Sequence, residues 1–322
     1  MRKTIACLLA TMITGATLAS AQIVVGKGEP FYVSKQSRVV DMTAQQFEKI
    51  KQKEVVFVLP DGAYAQETAF QTALQSAWTL TPFQIIKREA IGAYVQDTTK
   101  EYLFFHLNVE VEHDINGKTY VHQKGENPAY IYYSYDLSEF KRVAKSFEPN
   151  KTYARIYLNV NMPAAPVLNN IKAVRAWRET LYKEGKIANF SPKMLQLEIK
   201  IVQQAIQKKQ SIGFEDRMYQ QAPVTDLRKD TLLIISDAFP NSTVRANFIK
   251  KYPYPYRWVE SRDLQEGVLE NGTWLQLVTG PFGWVYNIYA PAHKSFIYRS
   301  TGTKVLNNKS ISPLVKTIKQ GH

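Results

Sequence analysis

The 322-residue chain is 45% hydrophobic and 21% charged, which is typical of a globular protein, and its length allows two domains. Its 41 lysine and arginine residues outnumber its 28 aspartate and glutamate residues, so the net charge is +13. Such an excess favours anionic partners (lipid surfaces, acidic glycans, nucleic acid), although charge also serves solubility alone. No segment beyond the N-terminus is apolar and long enough to span a bilayer, so we do not expect a membrane-spanning protein.

The first 21 residues have the pattern of a cleavable signal peptide. Met1-Arg2-Lys3 is basic, Thr4 to Ala19 is uncharged and largely apolar, and Ala19-Ser20-Ala21 provides the small residues required for cleavage before Gln22. The apolar run is shorter than a spanning helix and is diluted by Thr, Ser and Gly. We therefore expect export to the periplasm or the cell exterior, which makes nucleic acid the least favoured partner and leads us to predict none.

Removal of this segment leaves a mature chain without cysteine, because Cys7 is the only cysteine and lies too early for a lipoprotein cleavage site. The mature chain then has no disulfide, no thiolate nucleophile and no thiolate metal ligand. A chain of about 300 residues buries enough surface to fold without disulfides. Loss of Arg2 and Lys3 lowers the net charge from +13 to +11.

Residues 22–160 are predicted to form a first α/β unit with an N-terminal arm. Thr43 and Gln46 have the spacing of a capping box, and Glu54–Leu59 is a continuous apolar run, as in a buried strand. Strict alternation over Glu101–Glu112 predicts a half-buried strand. The predicted helices span 43–51 and 66–78, and the predicted strands span 22–25, 54–59, 83–86, 101–112, 118–123, 129–135 and 153–159.

Residues 161–222 are predicted to be a helical hairpin that links two halves of the chain. Apolar residues recur at helical spacing from Val167 to Leu181, and Gly185 follows as a C-terminal stop. Ser191 and Pro192 have the N-cap and first-turn preferences of a second helix.

Residues 223–322 repeat the order of the first half. Val55–Asp61 aligns with Thr231–Asp237, and Pro82–Ile86 aligns with Pro255–Val259 if the second helix is shorter. Few residues are identical, and any two α/β segments align this loosely, so the order of elements carries the comparison. We predict an α/β (or α+β) fold in which two similar β-α-β-β units are joined by the helical hairpin.

An aspartate follows the first strand of each half. Asp61 and Asp237 would lie at the carboxyl ends of strands, where ligands gather in open α/β sheets, and could bind a ligand, a metal or a substrate hydroxyl. The alternative is that each stabilises the turn into the next helix, and an aspartate in both halves favours that role.

Two aromatic segments are the most distinctive local features. Exposed rings stack on sugars or anchor protein partners, and arginine accompanies them at binding hot spots. Core packing is the alternative, because Tyr and Trp fit strands well. With the two aspartates, the candidate ligand-binding residues are Asp61, Asp237, Tyr130, Tyr132, Tyr254, Tyr256, Arg257 and Trp258.

Catalytic and metal motifs are missing from the sequence. It has no nucleophile elbow, no phosphate-binding loop, no dinucleotide fingerprint and no His-Glu-x-x-His. His113 and His122 would share one face of a hairpin, but two imidazoles are too few for zinc, and Glu110 and Glu112 fit a solvated strand face. We predict no catalytic residue, metal or cofactor, although a triad can assemble from distant residues.

In general style the chain resembles uncharacterised exported proteins of Bacteroidota. The likeness lies in the signal ending Ala19-Ser20-Ala21-Gln22, the basic mature chain, the scarcity of cysteine and the stretch Trp78–Phe83. It extends over the whole chain but includes no diagnostic motif. It implies an envelope location and nothing about activity.

These features favour a non-catalytic envelope protein that binds an anionic or glycan ligand, or another envelope protein, through basic and aromatic surface. The rival interpretation is a secreted hydrolase whose site is assembled from residues distant in sequence. A structural subunit of an envelope complex, with a contiguous exposed aromatic patch, is a third. The lack of a catalytic motif favours the first.

Overall fold

The structure, a computed structural model, describes residues 23–28, 38–111, 131–158, 187, 190–213, 218–219, 221–236, 242–259, 272–280, 283–290, 295–302 and 308–320. The predicted signal peptide, the predicted strand at 118–123 and the first helix of the predicted linker lie outside these residues. The mixed α/β class is confirmed, because the described residues form seven helices and two six-stranded mixed sheets.

The first sheet has the strand order β1-β6-β5-β4-β2-β3. Its strands are β1 (Ile23–Val25), β2 (Glu54–Leu59), β3 (Phe83–Lys87), β4 (Tyr102–Val111), β5 (Ile131–Val143) and β6 (Ser146–Leu158). β2 runs parallel to both β3 and β4, and the remaining neighbours are antiparallel. The helices packed on it are α1 (Ala44–Ile50), α2 (Glu67–Ala77), α3 (Ile91–Gln96) and α4 (Pro192–Lys208).

The second sheet repeats this arrangement place by place, in the order β7-β12-β11-β10-β8-β9. Its strands are β7 (Met218–Tyr219), β8 (Leu232–Ile235), β9 (Tyr256–Val259), β10 (Thr273–Gly280), β11 (Gly283–Ala290) and β12 (Ser295–Gly302). β8 is parallel to β9 and β10, and the other pairs are antiparallel, as in the first sheet. Its helices are α5 (Gln221–Asp226), α6 (Ser242–Lys251) and α7 (Asn308–Gln320).

Backbone hydrogen bonds show which residues of the two sheets correspond. The N–H of Val55 donates to the carbonyl of Pro82, and the N–H of Leu232 donates to the carbonyl of Pro255, both at 3.0 Å. Pro82 therefore corresponds to Pro255, as predicted, but Val55 corresponds to Leu232 and not to Thr231. The predicted alignment of this strand was wrong by one residue, because it matched the apolar runs and did not consider which side chains face the helices. Duplication of one ancestral sequence remains a prediction.

The first core is built around stacked aromatic rings. Phe57 and Phe105 stack with their ring centres 4.9 Å apart, and the Trp78 ring stands edge-on to both at 6.3 and 5.8 Å. Their neighbours from α1, α2 and α4 include Phe47, Phe70 and Leu195. Helices α1, α2 and α4 thus pack on this side of the sheet.

Helix α4 lies between the two sheets. One side of it packs in the first core, through Leu195, Ile199, Val202, Ala205 and Ile206. The other side contacts the second sheet, where Met194, Leu197 and Ile201 pack with Leu233, Val259 and Tyr289. This shared layer, which falls within the predicted linker, fixes the second sheet against the first unit.

Helices α5, α6 and α7 cover the opposite side of the second sheet. The second core joins residues of these helices to the sheet, among them Val224, Phe248, Ile311, Leu314, Ile318, Leu232, Ile234 and Ile288. Helix α7 follows β12 in the chain, as α4 follows β6. Unlike α4, it exposes polar residues on the side that faces away from the sheet. This sheet therefore has helices on both sides, and α6 and α7 form the outer layer.

Local signals placed the helix starts correctly. The N–H of Thr43 donates to Oε1 of Gln46 at 2.7 Å, and the N–H of Gln46 donates to Oγ1 of Thr43 at 3.3 Å, so the predicted capping box is confirmed. Ser191 caps α4, with Pro192 at its first position.

Strands β5 and β6 are much longer than the predicted strands at 129–135 and 153–159, and a tight turn joins them. The turn was missed because it lacks the usual residues: Ala144 has φ 51°, a left-handed conformation that ordinarily marks glycine or asparagine.

Candidate functional site

The side chains with the strongest case for ligand binding lie at the edge of the second sheet. We call Arg245, Tyr254, Tyr256, Arg257 and Trp258 the basic aromatic edge. β9 is the last strand in the sheet order and pairs only with β8 among the described strands. Among the described strands, the outer backbone edge of β9 therefore has no partner.

The aromatic rings of this edge form one cluster. The rings of Tyr256 and Trp258 stand edge-to-face with centres 6.3 Å apart, and Phe248 of α6 contacts them at 6.3 and 6.0 Å. Tyr252 joins Phe248 to Tyr254. Tyr254, Tyr256 and Trp258 are half-buried, so part of each ring remains accessible while the rest is held by the core.

Arg245 adds a positive charge to this cluster. Its guanidinium carbon lies 5.7 Å from the centre of the Trp258 ring, and one of its Nη atoms donates to the carbonyl of Ser236 at 3.0 Å. The contact is a cation–π interaction at a solvent-accessible site. Sequence reasoning missed Arg245 because it precedes Trp258 by thirteen residues and lies on a helix; its only signal was a basic residue on the outer side of α6.

Arg257 lies apart from the rings. Side chains alternate along a strand, so Arg257 points to the side opposite Tyr256 and Trp258 and is exposed there. The prediction grouped Arg257 with the rings because it is their neighbour in sequence. The basic aromatic edge therefore has a ring side with Arg245 and a reverse side with Arg257.

The described segment that forms the edge carries charge of one sign. Residues 242–259 include four basic residues and no acidic residue, and Arg245 and Arg257 place a positive charge on each side of β9. Tyr252 lies beneath the cluster and is 1% exposed, and this burial raises the pKa of its phenol well above the usual range. Tyr252 is thus neutral and supports the rings as a core residue.

Four other predicted binding residues lie, wholly or by their side chains, outside the described part of the chain. Asp61 begins a 3-10 turn after β2, and its side chain, like the whole of Asp237 and Tyr130, lies outside the described part of the chain. Tyr132 pairs with Glu110 across β5 and β4, but neither side chain is described.

A second polar cluster is buried in the first sheet. His106, Asp136 and Arg155 lie directly opposite one another on β4, β5 and β6 and are 2%, 0% and 0% exposed. With Asn108, Ser138 and Thr152 they form what we call the buried polar ladder. The prediction that β4 is half-buried was wrong at His106, which is buried with its Nε2 3.2 Å from Oγ of Ser138 on β5, whereas Asn108 is partly buried and donates to Asp136.

An ion pair forms the centre of the buried polar ladder. Arg155 donates from Nε to Oδ1 of Asp136 at 2.9 Å and from an Nη atom to Oδ2 at 2.8 Å, and Asn108 donates to Oδ2 at 3.0 Å. Burial disfavours the charged carboxylate, but the charge and hydrogen bonds of Arg155 outweigh it and hold the pKa of Asp136 below its usual value. Asp136 is therefore ionised at neutral pH.

The ladder also brings a hydroxyl close to an imidazole, as in a nucleophile–base pair. Nε2 of His106 lies 3.2 Å from Oγ of Ser138, which also lies 3.0 Å from Oγ1 of Thr152. Nδ1 of His106 faces the carbonyl of Leu107 at 3.3 Å. Ser138 is 0% exposed, so a substrate has no access to this hydroxyl, and the contact is structural.

The described part of the chain also has a cleft on the first unit. A shallow, open cleft of about 330 Å³ is lined by Arg88, Glu89, Ile91, Gly92 and Phe147. The described side chains include no group of three potential metal ligands. No helix in the described part of the chain combines the length and apolar character needed to cross a membrane.

Comparison of the chain with protein-family models, with curated proteins and with solved structures finds no match. The side chains of the molecule itself are therefore the basis on which a function can be assigned.

Proposed function

We propose that this protein is an exported, non-catalytic envelope protein that binds an acidic glycan at the basic aromatic edge. The observation that carries the proposal is the placement of the Arg245 guanidinium over the ring of Trp258, beside Tyr256. Aromatic faces stack on the C–H faces of sugars, and a guanidinium pairs with a carboxylate or sulfate in two parallel hydrogen bonds. An acidic sugar can stack on the ring and pair with the guanidinium at the same time.

The charge distribution supports an anionic ligand. The expected mature chain has a net charge of +11, and the segment that contains the edge has no acidic residue. A positively charged segment raises the local concentration of an anionic polymer and speeds its association. Arg257, on the reverse side of β9, would contact a second unit of the same polymer.

The other interpretations receive less support. Val143 and Ile249 are the large hydrophobic residues that are exposed in the described part of the chain, and they lie in different units, whereas protein interfaces need a central apolar cluster. A hydrolase would need an accessible nucleophile, and the hydroxyl paired with His106 is buried. The envelope location rests on the signal-peptide pattern of residues 1–21, and sequencing of the mature N-terminus after cell fractionation tests it by the expected start at Gln22.

Isothermal titration calorimetry of the mature chain with a galacturonic acid tetrasaccharide tests the proposal, and cellotetraose serves as the neutral control. We expect saturable binding of the acidic sugar that weakens as salt rises, and much weaker binding of the neutral one. Absence of binding to either sugar, or equal binding of both, would show that the edge does not recognise acidic glycans.

A further inference from the structure

The outer sides of α6 and α7 form a second positively charged surface. Their buried sides, at Phe248 and at Ile311, Leu314 and Ile318, pack on the same side of the second sheet, and the two helices contact each other. Their exposed sides therefore face outward together. We call this surface the basic helical face; its described members are Ile249, Lys250, Lys251, Lys316 and Lys319, all exposed.

The basic helical face is uniformly cationic. The sequences of α6 and α7 together include six basic residues and no acidic residue. Arg228 extends the charge at one end, because its guanidinium donates to the carbonyls of Ile318 and Lys319 at 2.8 and 2.7 Å. The nearby acids, Asp226 and Asp230, flank Arg228 at the border of this surface, beyond the two helices.

One large apolar side chain projects from this surface. Ile249 is 44% exposed and is followed directly by Lys250 and Lys251. At a membrane interface an exposed aliphatic group can enter the boundary between headgroups and acyl chains, while neighbouring lysines pair with anionic headgroups.

We infer that the basic helical face docks the protein on an anionic lipid bilayer, with Ile249 inserted and Lys250 and Lys316 against the headgroups. Charge complementarity selects the lipid, and the outward orientation of two adjacent helices suits a planar surface. This inference goes beyond the proposed glycan binding, because it concerns a different ligand and other side chains of α6 and α7, although Arg245 lies one helical turn before Ile249 on the same side of α6. The rings and Arg245 at the edge are not needed for it.

Vesicle co-sedimentation measures the docking. The mature protein is mixed with vesicles of phosphatidylcholine containing about one quarter phosphatidylglycerol, or with phosphatidylcholine alone. We expect binding to the anionic vesicles only, with a loss at high salt. The double variant Lys250→Glu/Lys316→Glu should bind at least about 25-fold more weakly, since each lysine near the surface contributes about fivefold.

A charge-matched control distinguishes this face from overall charge. Lys141→Glu/Lys145→Glu changes the net charge equally on the exposed β5–β6 hairpin and should leave vesicle binding within about twofold. Ile249→Asp should weaken vesicle binding without changing the thermal unfolding midpoint. The inference is overturned if the wild type ignores anionic vesicles, or if the two double variants lose binding equally. Neither outcome changes the result of the tetrasaccharide titration, so failure of lipid docking can be distinguished from failure of glycan binding.

Discussion

The guanidinium of Arg245 lies over the ring of Trp258, with its central carbon 5.7 Å from the ring centre. The pair joins the outer side of α6 to the edge strand β9, two elements that follow each other in the chain. Because Arg245 also donates a hydrogen bond to the carbonyl of Ser236, its guanidinium is held beside the ring. A charge and a stacking surface are thereby offered to one ligand.

Replacement of Arg245 by Gln should weaken binding of the acidic tetrasaccharide about tenfold or more, because a hydrogen bond to a charged group contributes about 1.5–3 kcal/mol. Calorimetry measures the change. Arg142→Gln, on the exposed β5–β6 hairpin, removes the same charge elsewhere and should leave affinity within about twofold. Equal losses in both variants would mean that net charge, and not the Arg245–Trp258 pair, drives binding.

The Asp136–Arg155 pair predicts a characteristic double-mutant result. Arg155→Met alone should lower the free energy of unfolding by about 3–5 kcal/mol, because it leaves the Asp136 carboxylate buried without its partner. Asp136→Leu combined with Arg155→Met should recover most of that loss, since it removes the isolated charge. Urea denaturation measures both. If the double variant loses as much free energy of unfolding as Asp136→Leu and Arg155→Met lose together, the two side chains are not energetically coupled.

Acid should destabilise the protein through Asp136. The pKa of this carboxyl is lowered in the folded state, so the unfolded chain binds its proton first as pH falls. The stabilisation is complete above the unfolded pKa of about 4 and is lost as pH falls below it, through the folded pKa. Denaturation curves collected between neutral and strongly acidic pH should show this fall in the free energy of unfolding. The Asp136→Asn variant should be less stable throughout, and its free energy of unfolding should fall less steeply with decreasing pH. The same slope in both proteins would contradict this role.

The hairpin turn between β5 and β6 offers a stabilising substitution. Ala144 has φ 51°, which is unfavourable for any residue with a Cβ, so Ala144→Gly should raise the free energy of unfolding by about 0.5–1 kcal/mol. The opposite sign is expected for Ala246→Gly in the exposed side of α6, where glycine costs about 1 kcal/mol. Thermal or urea unfolding of both variants measures whether one is stabilised and the other destabilised. Destabilisation by Ala144→Gly would show that the turn is not strained.

Much of the fold was predictable because its signals are local. Caps at Thr43 and Ser191 and the apolar runs of β2 and β8 depend on neighbours within a few residues. The β5–β6 turn was not predictable, since an alanine in a left-handed conformation leaves no signal in the sequence.

The buried polar ladder was hidden for a different reason. Alternating His106 and Asn108 look like a solvent-facing strand unless the partners on β5 and β6 are known. In the candidate site, Tyr256, Arg257 and Trp258 were predicted together from one aromatic segment, but strand alternation places Arg257 on the opposite side from the two rings. Only the packing of α6 on β9 revealed Arg245. Contacts between elements therefore decided the chemistry of the site.

The most direct test of glycan binding at the basic aromatic edge follows the indole N–H signals of the five tryptophans by ¹⁵N NMR during titration with the galacturonic acid tetrasaccharide. The Trp258 signal is assigned by its loss in Trp258→Phe, and buried Trp78 in the first unit is the internal control. Binding at the edge predicts a saturable shift of the Trp258 signal while that of Trp78 stays fixed. A titration in which the Trp258 signal does not move, or moves no more than that of Trp78, would contradict it.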